Sequence, residues 1–374
     1  MLSPASRADN SLLGRWWWTV DRWTLLAVAT LIGLGYVMML AASPAVAERI
    51  GQSRDIFILK QVFFLALAGA IVVVMSLLSP RGVRRVALVG CLIALALTAL
   101  TLVMGVEIKG ARRWIALPGL SLQPSEFLKP CFAVVVAWLL EEGRRSRRFP
   151  GMLIAFGVYA LIVLLLKSQP DVGMLAVISA VFFLQLYVAG LNLVFVGIGL
   201  AGLGGLAMAA YTMFPHVQSR VSRFLDPSQG DNYQVQRALE AFGNGGLLGR
   251  GPGEGLVKDV LPDAHADTVF AVAGEEFGLI LCLLIVVLFA FIVLRGLLRM
   301  LAEADPFVII AAVGLVASFG LQAFVNMAST LHLIPTKGMT LPFISYGGSS
   351  VLAVALGIGM LLALTRKRHH GELL

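Results

Sequence analysis

The sequence predicts an all-α polytopic membrane protein of about ten transmembrane helices, with one large extracytoplasmic loop between the seventh and the eighth. Three observations predict it. Of 374 residues, 59% are hydrophobic and only 13% charged, far from the profile of a soluble domain. Mean hydropathy is +0.89. Apolar runs of about 20 residues, enough for a helix to cross ~30 Å of hydrocarbon, recur along nearly the whole chain.

In order, the expected spans are Trp23 to Ala42, Ile56 to Leu78, Val86 to Gly105, Pro124 to Leu140, Met152 to Leu166, Val172 to Ala189, Leu191 to Phe214, Val269 to Arg295, Pro306 to Ala328 and Ser345 to Leu364. Before the first, "RWWW" at Arg15 to Trp18 suits an interfacial aromatic anchor. Pro124 fits the first turn of the fourth span. Only "KSQPD", Lys167 to Asp171, divides the fifth from the sixth, and the sixth and seventh meet at Gly190. The parts are then a cytoplasmic segment 1–22, a ten-helix domain 23–365 containing an outer loop 215–268, and a cytoplasmic tail 366–374.

Charge fixes the orientation. With the amino terminus inside, the cytoplasmic ends collect fifteen cations, Arg7, Arg15, Arg22, Arg81, Arg84, Arg85, Arg144, Arg145, Arg147, Arg148, Arg295, Arg299, Arg366, Lys367 and Arg368. The short outer loops hold seven, Arg49, Arg54, Lys109, Arg112, Arg113, Lys167 and Lys337, as the positive-inside rule requires. Both termini are expected in the cytoplasm. The net charge of +8 is mostly this topological signal, placed beside anionic lipid head groups, and is not read as nucleic-acid binding. Cys91, Cys131 and Cys282 each sit in an apolar span without disulfide or metal-ligand spacing, which suits packing. The first 22 residues lack a short apolar segment with a cleavage site, so the first span is expected to be retained.

Three outer segments carry the chemistry. The longest loop, about 54 residues from Pro215 to Thr268, contains "DNYQVQRALEAFGNGG", an expected short amphipathic helix with Tyr233, Val235, Leu239 and Phe242 apolar and Gly243 as its stop, lying along the membrane surface. Its glycine-rich "GNGGLLGRGPGEG" matches no phosphate-loop pattern and reads first as a flexible connection, although bare amides there could approach an anion closely. The segment "KGARRWIALPGLSLQPSEFLK" brings Lys109, Arg112 and Arg113 together with Trp114, as an interfacial anchor or an anion clamp making forked contacts to phosphate. Glu126 and Lys129, three apart on one helix face, and Lys60 in the second span are intramembrane charges, which by their cost must face protein or water.

The third segment is "PDAHADTVFAVAGEEFG", Pro262 to Gly278. Asp267 stands where the eighth span begins, as a helix cap or as a carboxylate facing outer water. Glu275 lies about two turns further on, and Glu275 and Glu276 are expected to pair with Lys60 or Lys129 in a buried polar network. Cations at the membrane lip and one carboxylate suit transfer from a lipid-linked diphosphate, with the acid as general base; a proton-coupled transporter would carry the same inventory.

These blocks, together with "SRFLDPSQGDNYQVQRAL" and "LIPTKGMTLPFISYGGSS", resemble the SEDS family (shape, elongation, division and sporulation), which includes FtsW and RodA, and they occur in that family's order. The resemblance implies a peptidoglycan glycosyltransferase that polymerises lipid II into β-1,4-linked glycan outside the cytoplasmic membrane by an inverting displacement. Asp267 aligns with the family's essential aspartate, the general base. Arg113 and Trp114 match its Arg-Trp pair, and Glu126 and Lys129 its Pro-x-Glu-x-x-Lys block. Substrate binding is expected from Lys109, Arg112, Arg113, Trp114, Lys129 and Lys337, with the diphosphate contacted by Arg113, Lys129 and Lys337. Asp263 stands where the family has glutamate, Ala266 and Thr268 where threonine and phenylalanine are common, and Pro252 and Gly255 are unusual in the glycine-rich turn. The start "SRADNSLLGRWWWTVDRW" resembles the alphaproteobacterial FtsW branch, pointing to the division septum of the inner membrane. The implied partners are lipid II, a class B penicillin-binding protein, other division proteins and membrane lipids. Family members use a divalent cation in some cases (Mg2+ or Mn2+), but no ligand cluster in this sequence announces one. The rival functions are a lipid II flippase and a non-catalytic division scaffold.

Overall fold

A computed structural model describes residues 11–49, 51, 54–108, 111–117, 120–213, 215–225, 233–261, 263–335 and 338–367. It opens with a short helix α1 (Leu12–Thr19), capped by the Ser11 hydroxyl, which accepts from Gly14 N. Ten long helices follow at the expected spans: α2 (Arg22–Arg49), α3 (Arg54–Ser76), α4 (Pro80–Met104), α5 (Pro124–Arg145), α6 (Gly151–Ser168), α7 (Val172–Val188), α8 (Leu193–Met213), then α11 (Val269–Met300), α12 (Pro306–Thr330) and α13 (Gly348–Leu364). Among the described residues, six of these (α2, α3, α4, α6, α11 and α12) are long and apolar enough to cross a membrane by length and composition alone. α7 and α13 are apolar but 17 residues long.

The centre of the body is α5, which packs on α4, α6, α7, α12 and α13. Its buried face includes Glu126 and Lys129, so hydropathy alone understates it. α3 lies along α13, and α11 along α2 and α12. Aromatic rings fill the wedge between α5, α6 and α7, with Tyr159 stacked on Phe182 at 4.4 Å. Dispersion between such rings and close backbone packing, not hydrophobicity, holds apolar helices together in lipid.

Two features go beyond the expected elements. Between α4 and α5 the chain forms an antiparallel meander of β1 (Val106–Ile108), β2 (Ala111–Leu117) and β3 (Leu120–Leu122). Its two-residue connections fall at Lys109-Gly110 and Pro118-Gly119, which lie outside the described residues. In the long loop, an unpredicted amphipathic helix α9 (Pro215–Leu225) precedes α10 (Tyr233–Gly245). α10 runs two residues past the expected stop at Gly243 and buries Ala238, Ala241 and Gly245 against α11, so its covered face meets protein.

The end of the body that carries the arginines is tied by Asp21, which receives Arg295 Nε at 2.6 Å and Arg299 Nε at 3.1 Å. Burial pushes its carboxyl up, but the two arginines and the Thr24 hydroxyl outweigh this and hold it below the usual carboxylate range. Trp16 donates its indole N–H to Ser76 Oγ at 2.8 Å and is buried, while Trp17 stays 39% exposed, so "RWWW" is half fastener and half surface anchor.

Candidate functional site

The turn before α11 is pinned at three successive carbonyls. Tyr346 N donates to His265 O at 2.8 Å, Ser345 Oγ to Ala266 O at 2.5 Å, and Asn326 Nδ2 to Asp267 O at 3.0 Å. Inside the turn, Ala266 N and Asp267 N both donate to Asp263 O, at 2.9 and 3.1 Å, and Asp263 itself sits at φ 50°. Asparagine and aspartate tolerate this left-handed region better than most residues. The N-cap position of α11 falls on Thr268 and not on Asp267. Asp267 is half-buried, and its carboxylate lies against Gly338: a β-carbon there would stand 2.7 Å from Oδ2.

α12 supplies the struts. Asn326, fully buried, also donates to Met339 O, and Gln322, one turn earlier, donates to Thr340 O at 3.1 Å and Ser350 Oγ at 3.0 Å. The 338–341 segment is thereby held against Asp267 from inside the helical body. Ser345 closes the other side, its hydroxyl accepting from Leu341 N at 2.8 Å and its carbonyl from Gln61 Nε2 at 3.2 Å. His265 is wedged between Phe57 and Tyr346, with ring centroids 5.3 and 5.0 Å away, and its Nδ1 is buried without a hydrogen-bond partner among the described residues. Burial chiefly, reinforced by Arg49 and opposed by Asp263, holds its pKa below the ordinary histidine value.

The cations expected at the diphosphate are distributed differently. Arg113 donates Nε to Gln169 O at 3.0 Å and Nη2 to Pro170 O, and its Nη1 lies 3.6 Å from Asp171 Oδ2. It fastens the sheet to the α6–α7 turn, so its guanidinium is already engaged. Lys129 is buried, ion-paired to Glu126 Oε2 at 2.7 Å and donating to Gln322 Oε1. It belongs to the polar interior, so the charges of both Arg113 and Lys129 are already met by protein partners. Arg112 is exposed and within 3.4 Å of Glu107, and Trp114, half-buried, pairs with Val106 across the sheet. Lys109 and Lys337 lie outside the described residues.

The glutamates also differ from expectation. Lys60 is half-buried without a hydrogen-bond or ion-pair partner among the described residues, and neither it nor Lys129 meets Glu275 or Glu276. Instead Glu275 accepts from Val257 N at 3.0 Å and Leu256 N at 3.1 Å; Glu276 accepts from Gly253 N at 2.8 Å and pairs with Lys258 Nζ at 2.6 Å. The bare amides of the glycine-rich loop thus do bind anions, and the anions are this chain's own carboxylates.

That loop is no flexible connector. α11 breaks at Gly278, whose φ 77° and ψ −172° suit glycine alone, and the freed carbonyls of Glu275 and Glu276 accept from Arg250 N at 2.9 Å and Gly251 N at 3.0 Å. In return Leu279 N donates to Gly246 O at 2.9 Å and Ile280 N to Leu247 O at 3.3 Å. The loop backbone replaces the intrahelical bonds lost at the break, so the kink is satisfied hydrogen bond by hydrogen bond.

Chemically, the site offers the half-buried carboxylate of Asp267, oriented by its pinned backbone. Among the described residues no group of three or more His, Cys, Asp or Glu is placed to hold a metal ion. With Asp263 and Asp267 as the nearest acids in the turn, a divalent cation would depend mainly on phosphate oxygens of a ligand.

The family model for FtsW, RodA and SpoVE, described as a cell cycle protein, matches residues 22–370. A probable peptidoglycan glycosyltransferase FtsW of Caulobacter vibrioides is 46% identical over 97% of this chain and 93% of its own length. One of Trichlorobacter lovleyi is 36% identical over 91% and 92%. Among solved structures, a chain reported under "Structural coordination of polymerization and crosslinking by a peptidoglycan synthase complex" superposes with TM-score 0.75 at 28% identity, covering 92% of this chain and 97% of its own. The Thermus thermophilus rod shape determining protein RodA gives 0.70 at 28%, covering 93% and 97%.

Proposed function

Because the chain belongs to the FtsW, RodA and SpoVE family of cell cycle proteins, we propose that it is a peptidoglycan glycosyltransferase that polymerises lipid II into β-1,4-linked glycan at the division septum, with Asp267 as general base. The observation that carries the assignment to Asp267 is the pinning of three consecutive carbonyls around it. A base held this way keeps its orientation without its side chain being needed as a cap. In the proposed step the 4-hydroxyl of the acceptor sugar attacks C1 of the donor as the C1–O bond to the lipid diphosphate breaks. The hydroxyl proton passes to the Asp267 carboxylate, and the diphosphate leaves with the electron pair. A single displacement turns the α-linked donor into a β-linked product.

Lys109, Arg112, Trp114 and Lys337 are the proposed contacts for the diphosphate and sugars. Lys337 is the residue before Gly338, which abuts Asp267. The crosslinking partner is a class B penicillin-binding protein, a reading supported by the superposition on a chain from a polymerising and crosslinking complex. Relatives named FtsW support the septal branch. In this reading the charge bias puts the arginine-rich face, with both termini, in the cytoplasm.

A transport role finds less support. The intramembrane charges Glu126 and Lys129 line a cavity of about 20 Å³, room for roughly one water and not a sugar diphosphate. The test is glycan formation from lipid II by the purified chain with its transpeptidase, beside lipid II translocation in proteoliposomes. The polymerase reading expects polymer from the wild type and none from Asp267→Ala. Translocation without polymer, or normal polymer from the variant, would sink it.

A further inference from the structure

At the end of the body opposite Asp267, the C-terminal turns of α5 and α7 and the first turns of α6 enclose a cavity of about 620 Å³. Its walls are almost entirely apolar, with Leu140, Phe149, Phe156, Leu186 and Leu191 among them. The volume lies within the roughly 300–1,000 Å³ typical of small-ligand pockets. One cation stands in the lining, Arg144, whose guanidinium crosses the turn at Gly190, where a β-carbon would meet Nη2 at 2.9 Å.

Arg144 is exposed and has no hydrogen-bond or ion-pair partner among the described residues; the same holds for Arg147 and Arg148 on the adjoining turn. Arg145 is partly offset by Glu141. Leu153, at the cavity's open side, is 74% exposed. An apolar groove at a membrane interface with an unneutralised guanidinium at its mouth has one chemical complement, a molecule with an acyl chain and an anionic head group.

We infer that the α5–α6–α7 cavity is a binding site for an anionic phospholipid, its acyl chain in the groove and its phosphate on Arg144. Arg147 and Arg148 add long-range attraction at the head-group level. The site is separate from the Asp267 turn and rests on none of its chemistry. Bilayer phospholipid is the occupant because the groove opens sideways among lipid-facing side chains, Leu153 and Met152 both being exposed.

The experiment is native mass spectrometry of the full-length chain released from nanodiscs of palmitoyl-oleoyl phosphatidylglycerol and phosphatidylethanolamine in equal parts. Wild type is expected to retain phosphatidylglycerol preferentially. Arg144→Gln should lower that retention about fivefold, the scale of one interfacial cation, without changing phosphatidylethanolamine. Leu153→Trp, at an exposed position, should fill the groove and lower retention of both lipids. Arg81→Gln, a charge-matched change at a different loop of the same face, should leave retention at the wild-type level. The inference is overturned if Arg144→Gln and Leu153→Trp both retain lipid like the wild type, if Arg81→Gln lowers retention as much as Arg144→Gln, or if the two lipids are retained equally. A co-purifying transmembrane helix lost on Leu153→Trp, with lipid retention unchanged, would assign the groove to a protein partner and overturn it too.

Discussion

Around Asp267 the side chains of Asn326 and Ser345 hold backbone. Asn326 spans the carbonyls of Asp267 and Met339, and Gly338 offers the carboxylate a surface without a β-carbon. Asn326→Ala removes both donations, and Gly338→Ala intrudes on Oδ2. Each is expected to lower kcat by about 100-fold, the scale of an ångström of misplacement, with lipid II affinity little changed. Loss confined to KM would contradict the positioning role. His265 adds a pH dependence. Because burial depresses its pKa, the unfolded chain takes up the proton first as pH falls through about 6.5. Stability is therefore full above that value and lost as pH falls toward the folded-state pKa. The thermal midpoint should drop between pH 7.5 and 5, and the drop should shrink in His265→Gln. The sequence displayed Asp267 but could not separate a cap from a base; the resemblance did that. Asn326 and Ser345 leave no local pattern in the sequence because each side chain serves a distant carbonyl, and Gly338 matters only for the β-carbon it lacks.

At the scale of elements, α11 and the glycine-rich loop form one unit. Apolar periodicity located α11 but not its break, since Gly278 in an apolar run gives no sign of which backbone will replace its lost bonds. Gly278→Ala forces a β-carbon to within 2.4 Å of Gly249 N at a φ of 77°, and it should cost at least about 2 kcal/mol of stability. A thermal midpoint equal to the wild type would show that the loop does not depend on the break. The sequence places intramembrane lysines as the obvious partners of the glutamates, yet loop amides and Lys258 stand closer in space while remaining 18 or more positions away in sequence. The small sheet is partly legible: Lys109-Gly110 and Pro118-Gly119 are turn dipeptides flanking "ARRWIAL", but the clustered cations fit an interfacial anchor or an anion clamp as well as a strand. Its Arg113 instead spends its donors on the α6–α7 turn.

For the whole molecule, apolar runs in the sequence located all ten long helices, because a bilayer admits few alternatives to a helix about 20 residues long, although among the described residues only six qualify as spans by length and composition alone. Which helix lies centrally was not legible, since apolar faces toward lipid and toward protein look alike in composition. The proposed orientation makes a direct prediction. A membrane-impermeant maleimide should label Leu248→Cys in intact cells but Arg147→Cys only after permeabilisation; both positions are exposed, and the three native cysteines are buried. The reverse pattern would invert the topology and place Asp267 away from an outer substrate. The central claim, that Asp267 is the base of an inverting glycosyl transfer, is tested most directly by single-turnover glycan formation on lipid II in the intact transpeptidase complex, comparing wild type with Asp267→Asn and measuring lipid II binding in the same samples. The account predicts unchanged binding with the rate of bond formation lowered at least about 100-fold; bond formation at the wild-type rate in Asp267→Asn would contradict it.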